Sequence, residues 1–345
     1  MDKKTMYIAV GIIAIIVIAA VGATLVLNNN GSSNPEKNAK IVLLKKTSSS
    51  PTFSPMDKAA VYNGSYPLSR YLYLYTDGIP NSTSSIYKWL DYVLNTSTGQ
   101  KQVQDAGFYP LQTVDLSAMR AQLTMGNTNS LTGSFKEGGS TTMAELSNLW
   151  AAGFKDATGI TVTVSLGGSG TGIANFINHA IDVAQSSRVM SAQERTNAAA
   201  AGINVTEWKV AVDGIAIIVF KDNPVNVLTL PQLEGIFNGT YTNWNQVGGN
   251  DQSISLFGRD SASGTYASFK DLVLVKKENY ASSMLQFNSN ALIVPEVENN
   301  AGGVGYVGIG YAKEATGTAA QTLLTSFVAM ATPLQELDFV MGNGP

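Results

Sequence analysis

Residues 210–220 read VAVDGIAIIVF. The run is apolar almost throughout, apart from Asp213 and Gly214, and a segment of that kind reads as a buried β-strand. Outward from it, strands are expected at 71–75 (YLYLY), 160–166 and 254–257. Helices are expected at 84–94, 141–154, 173–181, 230–237 and 263–274. In 84–94, Ile86, Trp89, Leu90 and Val93 recur at helical spacing; in 141–154, Met143, Leu146, Leu149 and Trp150 do so. Pro231 stands in the first turn of its helix, where proline is favoured. Strands and helices alternate, which is the pattern of an α/β fold. The glycine-rich stretch 299–311 is expected to pack backbone closely. Residues 112–135 and 313–345 show no clear period.

Three segments share one design. GGSTT (138–142), GGSGTG (167–172) and SASGT (261–265) each place glycine and small hydroxyl residues directly before a helix. A helix N-terminus presents unpaired N–H groups and about half a positive charge. Glycine lets an anion approach the backbone, and Ser or Thr adds a hydroxyl donor, so each segment is also a standing anion site. Ordinary N-capping explains any one of them alone. Three together, with Arg259 just upstream of the last, point to one shared anion. Arg259 can grip two oxygens of it at once. GGSGTG lacks the G-x-G-x-x-G spacing of a dinucleotide loop, and no Gly-Lys-Ser/Thr marks a P-loop.

Asp213 is costly to bury unless it is paired or functional. Two readings stay open: it accepts the proton of a protonated oxyanion, or it pairs with Arg188. The lone histidine, His179, lies on an expected helix and has a structural reading.

Composition narrows the function further. The chain has 345 residues, 44% hydrophobic and only 14% charged, with a formal net charge of −3. That length predicts two lobes. The charge argues against a nucleic-acid partner, which needs a clustered basic face. Without cysteine there is no disulfide framework, thiolate metal site or lipoprotein anchor. No His/Asp metal cluster is visible, and no cofactor is expected.

Residues 1–6 form a short basic start, and 7–27 (YIAVGIIAIIVIAAVGATLVL) carry no charge. As a helix this run is about 31 Å long, enough to cross the hydrocarbon layer and longer than a signal-peptide core. An uncleaved transmembrane anchor is expected, with Lys3 and Lys4 on the cytoplasmic side. A cleaved signal peptide is the alternative. Residues 28–39 (NNNGSSNPEKNA) read as a flexible tether, which puts the body outside the cell membrane.

The chain resembles the phosphate-binding proteins of Pst-type ABC importers. The resemblance rests on GGSTTM (138–143), GGSGTGIANF (167–176), DVAQSSRVM (182–190), VAVDGIAIIVF (210–220) and LTLPQLEGIFNGTYTNWNQVGG (228–249). It continues in GRDSASGTYASF (258–269), NNAGGVGYVGIGYA (299–312), YPLSRYLYLYTDG (66–78) and WLDYVLNTSTGQKQVQDAGFYPL (89–111). It implies a two-lobed periplasmic-binding-protein type II fold and capture of inorganic phosphate for an ABC importer permease, by a monomer that is not an enzyme. It also implies site roles. Thr141 would bind through its hydroxyl, Thr142 through its N–H and Ser169 through its hydroxyl. Arg259 would form the ion pair, and Ser263, Gly264 and Thr265 would cradle the anion. Ser187 stands where some members carry an aspartate that accepts the phosphate proton, so Asp213 becomes the substitute acceptor.

The order departs from that family, in which YPLSRYLYLY and the helix ending FYPL come last. The chain is therefore read as circularly permuted, with one lobe at 72–216, the other at 40–71 plus 217–345, and a new linker near 112–137. Two other functions compete: a surface-assembly subunit on the same fold, and a phosphoester hydrolase using Ser263. The hydrolase lacks a base other than His179.

Overall fold

The computed structural model describes residues 37–126, 131–275 and 278–313. The expected anchor at 7–27, most of the tether and residues 314–345 lie outside the described residues. Among the described residues, no helix is long and apolar enough to cross a membrane.

Among the described residues, ten strands form the frame: β1 Ala39–Lys45, β2 Ser69–Asp77, β3 Phe135–Gly139, β4 Val162–Leu166, β5 Val183–Ser186, β6 Val205–Phe220, β7 Val227–Thr229, β8 Ser255–Arg259, β9 Leu285–Phe287 and β10 Gly303–Gly308. They pair in the order β4-β3-β5-β2-β6-β10-β8-β9, with β1 joining β6 to β7 off this path. With helices interleaved, this is the α/β build that the sequence suggested.

The long strand β6 joins two half-sheets. From Val205 to Gly214 it pairs antiparallel with β2, ending at Gly214 opposite Ser69. From Ile215 onward it pairs with β10 on one edge, and from Ile217 with β1 on the other. Residues 210–219 are buried without interruption, because elements cover both faces. That is why VAVDGIAIIVF does not alternate.

In each half the parallel strands carry the helices that matter. β3 runs parallel to β4 and β5, and β8 runs parallel to β9 and β10. The helices Ala144–Thr158, Ser169–Ile177 and Gly264–Leu272 follow the C-terminal ends of β3, β4 and β8. Ligands of open α/β sheets bind at that end of the strands.

Several details differ from expectation. The helix expected at 173–181 is Ser169–Ile177, so the glycine-rich segment is its first turn rather than a loop before it. The helix expected from 141 begins with a 3₁₀ turn, Thr141–Met143. Met143, Leu146 and Trp150 are buried as expected, while Leu149 is only partly so. The illegible stretch after 112 contains a helix, Thr113–Leu123, which buries only Leu116 and Leu123. It is held by Tyr71 and Lys209, both of which donate to Asp115.

Candidate anion site

The three helix starts converge. Gly170 N–H donates to the Ala262 carbonyl at 2.9 Å, which docks the second segment on the third. Gly168 adopts φ +92°, and a Cβ there would lie 2.6 Å from that same carbonyl oxygen. A Cβ on Gly264 would come within 2.3 Å of Ser169 Oγ and 2.5 Å of Ser187 Oγ. Only glycine permits this approach.

The hydroxyls fall into two groups. Ser263 caps its helix, with Oγ accepting from the Thr265 and Tyr266 N–H groups at 3.1 and 3.3 Å. Ser169 Oγ accepts from Ser187 N–H at 3.1 Å and so binds the two segments together. Thr142 and Thr265 face each other, their hydroxyls 2.7 Å apart. Thr141 Oγ1 accepts from Arg259 Nη2 at 2.6 Å and donates to the Asn288 carbonyl. All nine residues singled out from the sequence (Thr141, Thr142, Ser169, Ser187, Asp213, Arg259, Ser263, Gly264 and Thr265) thus belong to one buried constellation.

Arg259 is 1% exposed. Its Nε donates to the Phe287 carbonyl and Nη2 to the Asn288 carbonyl, while Nη1 is buried without a hydrogen-bond partner. Burial pushes this guanidinium down to about 10; Asp260 and Tyr306 oppose the shift, and the like charge of Arg70 adds to it. A buried cation in this condition is stabilised by an anion.

Asp213 does not pair with Arg188, which instead grips Glu194 at 2.7 Å. Its partner is Arg70, directly opposite on β2. Arg70 Nε and Nη2 both donate to Asp213 Oδ2, and the Ile309 N–H donates to Oδ1 at 3.0 Å. Arg70 Nη2 also donates to Thr265 Oγ1 at 3.0 Å, and its Nη1 is buried without a partner. Sequence reasoning missed Arg70. The available signal was a single cation within the strand run LSRYLYLY, matched by a single acid within VAVDGIAIIVF.

Ser140 and Asn290 were missed as well. Both are buried in the same place, and Asn290 Nδ2 donates to Thr142 Oγ1 at 3.2 Å. Gly308 lets the strands close up, since a Cβ there would touch the Thr142 methyl at 3.0 Å and the Asp213 carboxylate at 3.4 Å. His179 stands apart on the surface, with a ring nitrogen against the Ala201 carbonyl. Among the described residues, no group of three His, Cys, Asp or Glu side chains could hold a metal.

The family model for a PBP superfamily domain matches residues 126–342. The chain belongs to the PBP superfamily. Among proteins similar to this PBP-superfamily chain, protein SphX of Synechococcus elongatus is 32% identical over 219 residues, 61% of this chain and 60% of that protein. The phosphate-binding protein PstS of Staphylococcus haemolyticus is 34% identical over 188 residues, 52% of this chain and 58% of its own length. The chain therefore spans about three fifths of the curated relatives it matches. A solved ABC-type phosphate transport receptor from Vibrio cholerae is 31% identical, with a TM-score of 0.42 over 53% of this chain and 74% of that one.

Proposed function

We propose that this chain is an extracytoplasmic substrate-binding protein that encloses inorganic phosphate and delivers it to an ABC importer permease. The observation that carries the reading is the pair of buried guanidiniums, Arg70 and Arg259, each with an unpartnered Nη1, beside three helix starts. Asp213 is taken up by Arg70, and Asp260 only partly offsets the burial of Arg259, so the unpartnered guanidinium N–H groups are left for a bound anion. Relatives named for phosphate binding support the choice of anion.

Arg259 and Arg70 supply the charge in this reading. The N–H groups of Thr142 and Gly264 and the hydroxyls of Ser169, Ser263 and Thr265 supply the donors. The Thr141 hydroxyl, expected to bind the anion directly, is instead spent on the Asn288 carbonyl and positions Arg259. Ser187 backs Ser169, and Asp213 holds Arg70. The anion sits between two lobes, 72–216 and 40–71 plus 217–345, which meet where β6 changes partners. Residues 7–27 anchor the body to the outer face of the cell membrane.

The circular permutation belongs to the same reading. The family match begins at 126, yet β2 at 69–77 lies between β5 and β6. The strand between β5 and β6 thus comes from ahead of the matched stretch, which supports the permuted order. Calorimetric titration of the purified 345-residue chain with phosphate tests the function. Binding at micromolar concentration or tighter is expected, and no heat at millimolar phosphate would sink it.

A further inference from the structure

We propose that the side-chain carbonyl of Asn290 is the acceptor that lets this site prefer an oxyanion carrying a proton over one fully ionised. The proposal rests on the phosphate reading above and deepens it. Phosphate retains a proton at neutral pH and sulfate does not. A site that offers only donors treats the two alike, so discrimination needs an atom that can accept and cannot donate.

Few side-chain atoms in the constellation meet that condition. The guanidiniums and helix N–H groups only donate, and the hydroxyls of Ser140, Thr142, Ser169, Ser187 and Thr265 rotate to do either. Two acceptor-only groups remain, Asp213 and Asn290 Oδ1. Both oxygens of Asp213 are engaged, Oδ2 by two N–H groups of Arg70 and Oδ1 by Ile309 N–H. Asn290 is fully buried, and its Oδ1 has no hydrogen-bond partner. Thr142 holds the amide by its other end, since Nδ2 donates to Thr142 Oγ1 at 3.2 Å. Thr142 in turn touches Thr265, whose hydroxyl accepts from Arg70.

An orphaned buried acceptor is costly, and a ligand O–H would satisfy it. A sulfate oxygen in the same position would leave Oδ1 unpaired and be repelled by it. Being neutral, the amide does this without adding a negative charge beside the anion. The two acceptors therefore divide the work: Asp213 holds Arg70, and Asn290 reads the proton.

Phosphate titrations and sulfate competition, run at pH 7 on the 345-residue chain, test this. In Asn290→Ala the phosphate-to-sulfate preference should fall about tenfold or more, the worth of one unpaired buried acceptor. In Asn290→Asp, an ionised acceptor, the preference should rise. In Asp213→Asn both affinities should fall together, with their ratio kept within about threefold, since that change loosens Arg70. An unchanged ratio in both folded Asn290 variants, or a ratio that shifts only in Asp213→Asn, overturns the proposal while phosphate binding by the wild type stands. A wild-type chain that binds neither anion overturns the function, and this proposal with it.

Discussion

Arg70 and Asp213 face each other across β2 and β6, with Nε and Nη2 of the arginine on a single carboxylate oxygen at 2.8 and 2.7 Å. The acid is fully buried and the arginine side chain is 6% exposed. The pair thus ties the two strands together just before β6 changes partners, and it places a guanidinium beside Thr265.

Breaking this pair from one side should hurt more than removing it. Arg70→Leu leaves a buried carboxylate uncompensated and should cost about 3–5 kcal/mol in urea unfolding. Adding Asp213→Leu should restore most of that stability, because two apolar side chains need no partners. Phosphate affinity should stay low in both variants. A double variant that regains full affinity would make Arg70 purely structural.

Arg259→Ala should weaken phosphate binding by about 30- to 4000-fold, the effect of truncating one partner of a desolvated charge pair. Burial holds this guanidinium down to about 10, so it sheds its charge at a lower pH than an exposed arginine. Wild-type affinity should accordingly decline as pH is raised through about 10. Titrations across that range check both statements, and an affinity loss below threefold in the variant would count against the assignment.

Gly264→Ala should separate the second and third helix starts. The added methyl would meet Ser169 Oγ and Ser187 Oγ, both buried. Overpacking of this kind costs about 1–3 kcal/mol. The expected result is a lowered melting temperature together with reduced phosphate affinity. Wild-type behaviour on both measures would show that the segments are loosely packed.

Glu137 offers a test of pH dependence away from the anion. It is fully buried beneath Trp89, and neither carboxyl oxygen is in hydrogen-bond geometry. Burial pushes its carboxyl up to about 8, partly opposed by the Trp89 indole. A folded pKa raised from 4.5 means that the fold keeps a proton the unfolded chain releases. This contribution is therefore complete below about pH 4.5 and is lost as pH rises through about 8, by a few kcal/mol in all. Glu137→Gln should remove that slope and be the more stable form at pH 8. Parallel unfolding curves at pH 5 and pH 8 for both proteins would refute it.

What the sequence disclosed followed from local patterning. The strand at 210–220 and the helix at Ser85–Val93 were legible because burial imposes an apolar run or a helical period. Small hydroxyl and glycine residues marked the helix starts. The helix Thr113–Leu123 was hidden because it shows an exposed Val114 and is held by polar contacts of Asp115. Arg70 was hidden for another reason: its partner is 143 positions away, and only the register of β2 on β6 joins them. Asn290 left no trace in a chain so rich in asparagine. Its significance comes from an oxygen that the fold leaves unanswered.

The exchange of partners along β6 also splits the strand pairing into a self-sufficient part and a deferred one. Strands β2 to β5 and the first part of β6 find all their neighbours within 69–214. That portion needs no later strand to complete its pairing, so it can form as a unit. β1 is made first but must wait for the end of β6 and for β7. Until the far end of β6 and β7 are in place, β1 is thus an unpaired apolar strand, the kind of edge that is prone to self-association.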